Sequence, residues 1–249
     1  MTSFIGKAQM NYENSINLQE EKEQRVFLFV HGAWGGGWEY SKVDSILTKK
    51  GDKVYHPTLT GLGEKVHLAT KEIDLTTHIT DIINVIKFEN LDNIILVGHS
   101  YGGMVISGVA EQIPERIGQL IYLDSFVPND GESVQSINGD EVWNSMIVPK
   151  IEDGFVLYPF GPTSPTHPTD VPHPLKTFTE RLSIKNPLLK DIPTSYILMR
   201  QDGVANFEEW GSKRAIANGW DVYEMEGGHY AMRDQPDRLV EKLELILKN

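Results

Sequence analysis

Three residue types in this chain stand in the order of a nucleophilic site: one serine, two candidate aspartates and one histidine. Ser100 lies in Gly98-His99-Ser100-Tyr101-Gly102, directly after the apolar run Ile94–Val97 and before a helical pattern. A strand, a sharp turn carrying serine and then a helix are the context in which Gly-x-Ser-x-Gly lifts a hydroxyl out of a sheet. A side chain larger than hydrogen at Gly98 or Gly102 is expected to clash. A serine hydroxyl is barely ionised near neutral pH. It needs a base, and the base needs a carboxylate that orients it and stabilises its cation. His229 follows the predicted strand Val222–Met225 on Glu226-Gly227-Gly228 and is the expected base. Asp202, in the turn Gln201-Asp202-Gly203 after the predicted strand Tyr196–Met199, is the favoured acid. Asp124, after the predicted strand Gln119–Leu123, is the alternative. The developing oxyanion needs two backbone donors. The amide of Tyr101 is one. Ala33, in His31-Gly32-Ala33-Trp34-Gly35-Gly36-Gly37-Trp38, is the expected second. Pocket-wall candidates are His31, Trp34, Tyr101, Phe126, Trp143, Phe178, Trp210 and Tyr230.

These groups need a frame that brings distant loops to one edge. Val26–Val30 reads as a buried strand running into the Gly-rich loop. Tyr40, Val43 and Leu47 recur at helical spacing, and Lys53–His56 is a short strand. Leu75, Ile79, Ile82, Ile83 and Ile86 form one helical face. After the strand and helix around Ser100 comes Gln119–Leu123. From Pro128 to about Asp191 the alternation stops, with prolines at 159, 162, 165, 168, 172 and 174, so this stretch reads as an inserted cap. Short helices are expected in it near Ser136–Met146 and Leu175–Leu182. Alternation resumes with Tyr196–Met199, a helix at Phe207–Asn218, Val222–Met225 and a last helix through Leu239, Leu243 and Ile246. Strands alternating with helices imply an α/β fold: a mostly parallel, doubly wound sheet with helices on both faces.

Composition narrows the function classes. The 249 residues suit one domain over 26–249, with 1–25 as an N-terminal extension. A net charge of −12 argues against nucleic acid or an anionic membrane surface as partner. The absence of cysteine excludes disulfides, a thiol nucleophile and thiolate metal sites. Met1–Gln24 lacks the basic start and apolar stretch of a secretory signal, so a cytoplasmic location is expected. No histidines have metal-ligand spacing and no nucleotide motif is present, so neither metal nor cofactor is expected. The expected partner is a small molecule, with a homodimer as the assembly to test.

Four stretches carry a resemblance: His31–Trp38, Gly98–Met104, Phe126-Val127-Pro128 and Gly228-His229-Tyr230-Ala231-Met232. They resemble the α/β-hydrolase superfamily, in the branch of plant hydroxynitrile lyases and methyl esterases and their bacterial cap-bearing counterparts. The run Pro172–Thr179 is similar to the bacterial members. The resemblance covers Val26 to the C-terminus. It implies an α/β-hydrolase fold with an inserted cap, and hydrolysis of a small methyl- or aryl-type carboxylic ester through an acyl-enzyme. The alternative is the same triad serving a lyase, decarboxylation, cyclisation or acyl-transfer step. The similar lyases carry Lys directly after the catalytic histidine. Tyr230 stands there in this chain, which points to the esterase pattern.

Overall fold

The structure, a computed structural model, describes residues 24–200 and 206–248. The elements follow in chain order as β1 (Val26–Val30), α1 (Ser41–Lys49), β2 (Lys53–Tyr55), α2 (Leu75–Phe88), β3 (Ile94–His99), α3 (Gly102–Gln112) and β4 (Ile117–Leu123). A cap segment then holds α4 (Val134–Val142), the two-residue strands β5 (Ile151–Glu152), β6 (Phe155–Val156) and β7 (His173–Pro174), and α5 (Lys176–Thr179). The chain returns through β8 (Thr194–Arg200), α6 (Lys213–Ala217), β9 (Asp221–Glu226), α7 (Ala231–Asp234) and α8 (Pro236–Ile246).

Six strands form one sheet in the order β2-β1-β3-β4-β8-β9, and every neighbouring pair is parallel. The side-chain period of two deals successive residues to opposite faces. Leu28, Val30, Ile94 and Leu96 pack with α2, α3 and the cap. Phe27, Phe29, Ile95 and Val97 pack with α1 and α8. All six residues of β3 are buried, as a central parallel strand covered on both faces requires. Helix α2 starts where Asp74 accepts a hydrogen bond from the Thr77 amide (2.8 Å), and its apolar face Leu75, Ile79, Ile82, Ile83 and Ile86 is buried.

Some expected boundaries move. Arg25, assigned to the extension, is tied to the folded body by Asp52 (2.6 Å) and Glu244 (2.7 Å). The helix expected over Phe207–Asn218 begins as a wide turn, Glu208–Ser212, before α6. There Gly211 lies so close to the Tyr196 hydroxyl and the Ser125 carbonyl that a Cβ would sit 2.1 and 2.3 Å from them. The helix expected over Leu175–Leu182 is the single turn α5, and that over Ser136–Met146 is α4 followed by the wide turn Trp143–Ile147. No helix among the described residues is long and apolar enough to cross a membrane.

Candidate active site

Parallel strands deliver their C-terminal ends to one edge of the sheet, and the chemistry-bearing residues gather there. Ser100 follows β3 with φ +55°, a conformation a non-glycine residue holds only when its surroundings impose it. Its amide donates to the Leu123 carbonyl (3.2 Å) and its carbonyl accepts from the Phe126 amide (3.2 Å). A Cβ on Gly98 would lie 2.7 Å from the Gly102 carbonyl, and one on Gly102 2.6 Å from the Val30 carbonyl. Both glycines are thus needed for the turn to pass between β1 and α3.

His229 lies three residues beyond β9. Its Nδ1 is 2.6 Å from Asp124 Oδ2. Asp124 is 5% exposed and also has a positive φ, +42°. Its Oδ1 accepts from the Met199 amide of β8 (3.1 Å), and its own amide donates to the Ile197 carbonyl (2.7 Å). The carboxylate facing His229 therefore belongs to the residue directly after β4. Asp202, the favoured acid from the sequence, lies outside the described residues, and the Nδ1 position it was expected to fill is occupied by Asp124. The imidazole stacks on Phe207, with centroids 4.9 Å apart and planes within 7°. His99 donates from Nε2 to the His229 carbonyl (2.9 Å), which ties the histidine loop to the residue preceding Ser100. With Nδ1 bonded to a carboxylate, Nε2 of His229 is the ring nitrogen left for a hydroxyl or a water.

Ser100 and His229 open into one cavity of about 100 Å³. Trp34, Phe126, Phe178 and Tyr230, expected in the pocket, all line it, as do Ala33, Tyr101 and Trp210. His31 and Trp143 do not, which corrects that expectation. Both nitrogens of His31 are engaged below the surface, Nδ1 with the Gly32 carbonyl (2.8 Å) and Nε2 with the Leu59 amide (3.0 Å). Trp143 packs into the apolar core, and Val142, Met146 and Ile147 beside it face the cavity instead. Sequence reasoning missed Asn138, Tyr158, Phe160 and Phe207. The aromatic pair at 158 and 160 within a Pro-rich run was the available signal for two of them.

Four histidines in this region are fully buried: 31, 78, 99 and 173. Burial pushes His31 and His78 down to about 4, and holds His99 and His173 well below the ordinary imidazole value. They serve as neutral hydrogen-bonding rings. Burial also raises the Tyr101 and Tyr230 phenols well above their usual range, so both stay protonated. Among the described residues no three His, Asp or Glu side chains converge as a metal-ligand set would.

A family model described as the alpha/beta hydrolase family matches residues 27–242. The chain belongs to the alpha/beta hydrolase family. Among its relatives is the carbendazim hydrolyzing esterase of Nocardioides sp. (strain SG-4G), 50% identical over 45% of this chain and 46% of that protein. Methylesterase 1 of Arabidopsis thaliana is 32% identical over 47% of this chain and 45% of its own length. The chain thus spans about half the length of these curated relatives. Among solved structures, an extracellular alpha/beta-hydrolase from a Paenibacillus species superposes with a TM-score of 0.76 at 23% identity, covering 89% of this chain and 98% of that one. That protein is described as sharing structural and functional homology with Tobacco Salicylic Acid Binding Protein 2; the likeness establishes the fold this chain shares with it.

Proposed function

We propose that the protein is a serine hydrolase of small carboxylic esters, with Ser100 as nucleophile, His229 as base and Asp124 as the orienting acid. The observation that carries this reading is the 2.6 Å contact between His229 Nδ1 and the buried Asp124, with His229 lining the same cavity as Ser100. Ser100 Oγ attacks the ester carbonyl as His229 Nε2 takes its proton. The tetrahedral oxyanion accepts hydrogen bonds from the Ala33 and Tyr101 amides, neither of which has an acceptor within the protein among the described residues. The alcohol leaves with the proton from His229 and the acyl group stays on Ser100. Water, deprotonated by His229, then releases the carboxylic acid. Asp124 holds the imidazole in the tautomer that leaves Nε2 free.

The cavity wall favours an apolar or aromatic acyl group on a small methyl- or aryl-type ester. Trp34, Phe126, Phe178 and Trp210 supply carbon surface, and the few polar groups on the wall include Ser100, His229, Tyr230, Asn138 and Tyr158. The relatives named as esterases support the same reaction class.

The test is turnover of p-nitrophenyl acetate and of an aryl methyl ester by wild type and Ser100→Ala in ¹⁸O water. One solvent oxygen in the product acid and loss of at least ~10⁴-fold in kcat are expected. Product formed without solvent oxygen would assign the site to lyase or decarboxylation chemistry. A Ser100→Ala variant at the wild-type rate would remove Ser100 from the mechanism.

A further inference from the structure

The segment between β4 and β8 does more than roof the cavity. Ala33, Trp34 and Gly35 form a γ-turn: the Gly35 amide donates to the Ala33 carbonyl (2.8 Å), and Trp34 between them has φ +64°. A γ-turn of this hand is rare and strained, and a bulky residue at its centre does not hold it unaided. Every hydrogen-bonding group of Trp34 goes to the cap. Its amide donates to His173 Nδ1 (3.2 Å), its carbonyl accepts from the Val171 amide (2.9 Å), and its indole Nε1 donates to the Val156 carbonyl (2.8 Å). His173 makes its bond at a cost. Accepting at Nδ1 places the ring proton on Nε2, and that nitrogen is buried without a partner.

We propose that the cap shapes the oxyanion hole by clasping Trp34, with His173 as the positioning residue. The γ-turn fixes the peptide plane on either side of Trp34. The first of these planes starts at the Ala33 Cα and holds the Ala33 carbonyl, so the clasp anchors the C-terminal side of Ala33 and limits how far its own amide, one peptide unit earlier, can rotate away from Ser100. Without the clasp the turn relaxes to an ordinary negative φ, and the Ala33 donor swings off the oxyanion. Cap and catalytic loop are then one unit. A cap that does not seat leaves Ser100, His229 and Asp124 in place but lowers their power to stabilise the tetrahedral state. This inference rests on the ester-hydrolase reading only for what the hole binds; the clasp itself is a matter of the Trp34 contacts.

The experiment compares wild type, His173→Phe, His173→Asn and Trp34→Phe in full-length protein. Phe keeps a flat ring against Phe178 but has no acceptor, whereas Asn restores an oxygen near the Nδ1 position. The assays are kcat and KM for p-nitrophenyl acetate, binding of phenylboronic acid as a tetrahedral adduct, and hydrogen–deuterium exchange over residues 31–40. For His173→Phe, kcat falls about 10- to 100-fold with KM within about threefold, boronate binding weakens in parallel, and exchange over 31–40 speeds up. His173→Asn recovers to within about fivefold of wild type. Trp34→Phe, which removes the indole bond and part of the ring surface but keeps both backbone bonds to the cap, loses about 3- to 10-fold in kcat and carries the test if His173→Phe does not fold. The proposal is overturned if His173→Phe or Trp34→Phe keeps wild-type kcat and boronate affinity, or if only KM moves. A wild type without ester turnover, whose 31–40 segment still loosens in His173→Phe, overturns the ester reading and leaves the clasp standing.

Discussion

Asp124→Asn separates the two carboxylates that compete for the role of acid. Asp124 uses both oxygens: Oδ1 accepts from the Met199 amide at 3.1 Å, and Oδ2 faces His229 Nδ1 at 2.6 Å. An asparagine in the same rotamer must give its single carbonyl oxygen to Met199, whose amide has no other use for its proton. Its NH₂ then points at His229 Nδ1 and can only donate. Nδ1 becomes the acceptor, the ring proton moves to Nε2, and the nitrogen meant to receive the Ser100 proton is already protonated. The geometry survives and the base does not. A tautomer inverted in this way costs about 10⁴-fold in kcat, or about 5.5 kcal/mol of transition-state stabilisation. Steady-state kinetics on p-nitrophenyl acetate at pH 7.5 should show that loss with little change in melting temperature. With Nδ1 already bonded to Asp124, Asp202→Asn should stay within about threefold of wild type. If Asp124→Asn retained more than a tenth of the activity while Asp202→Asn lost a thousandfold, the assignment would be refuted.

Gly102→Ala should lose at least ~100-fold in kcat and about 1–3 kcal/mol of stability by urea denaturation, because its Cβ would meet the Val30 and His31 carbonyls at 2.6 and 2.9 Å. Acid should unfold the protein early. His31 and His78 are pushed down to about 4 when folded, and they titrate near 6.5 in an unfolded chain. Between those values the unfolded state binds more protons, so the stability they contribute is complete above about pH 6.5 and lost as pH falls towards 4. Each adds up to about 1.4 kcal/mol per pH unit to the slope, and urea midpoints measured from pH 7 to pH 4.5 read it directly. A midpoint that stays flat over that interval would mean these rings do not remain neutral when folded.

The sheet, the turn that carries Ser100 and the loop that brings His229 to the same edge were legible because each rests on a local signal. Buried parallel strands read as unbroken apolar runs such as Ile94–Val97, and Gly98 and Gly102 announce a turn that has room only for hydrogen. The choice between the two candidate acids was not legible. Asp124 and Asp202 both follow strands that are neighbours in the same parallel sheet and end at the same edge, so distance along the chain ranks them equally well. What favours Asp124 is a pair of hydrogen bonds with β8, one accepted from the Met199 amide and one donated to the Ile197 carbonyl, and no spacing rule reports that. The cavity wall was half legible for a related reason. Trp34 and Phe126 sit on loops next to recognisable motifs, whereas Tyr158 and Phe160 come from the Pro-rich run, whose course is set by single contacts rather than by periodicity. The Trp34 clasp lies beyond both kinds of signal: its three partners, Val156, Val171 and His173, come from a segment with no regular pattern.

An acid at the end of β4 divides the labour of the loops. The connection after β8 carries Phe207 and Trp210 into the cavity wall, and under the proposed pairing of Asp124 with His229 its share of the work is binding rather than proton transfer. That connection is then free to change length and composition under selection for new substrates while the machinery for bond breaking is inherited intact. The stretch just after β4 has the opposite fate. It holds the acid and, within four residues, the start of the cap, so drift there is felt in chemistry and selectivity together. Diversification of this scaffold should accordingly be concentrated after β8 and sparse after β4.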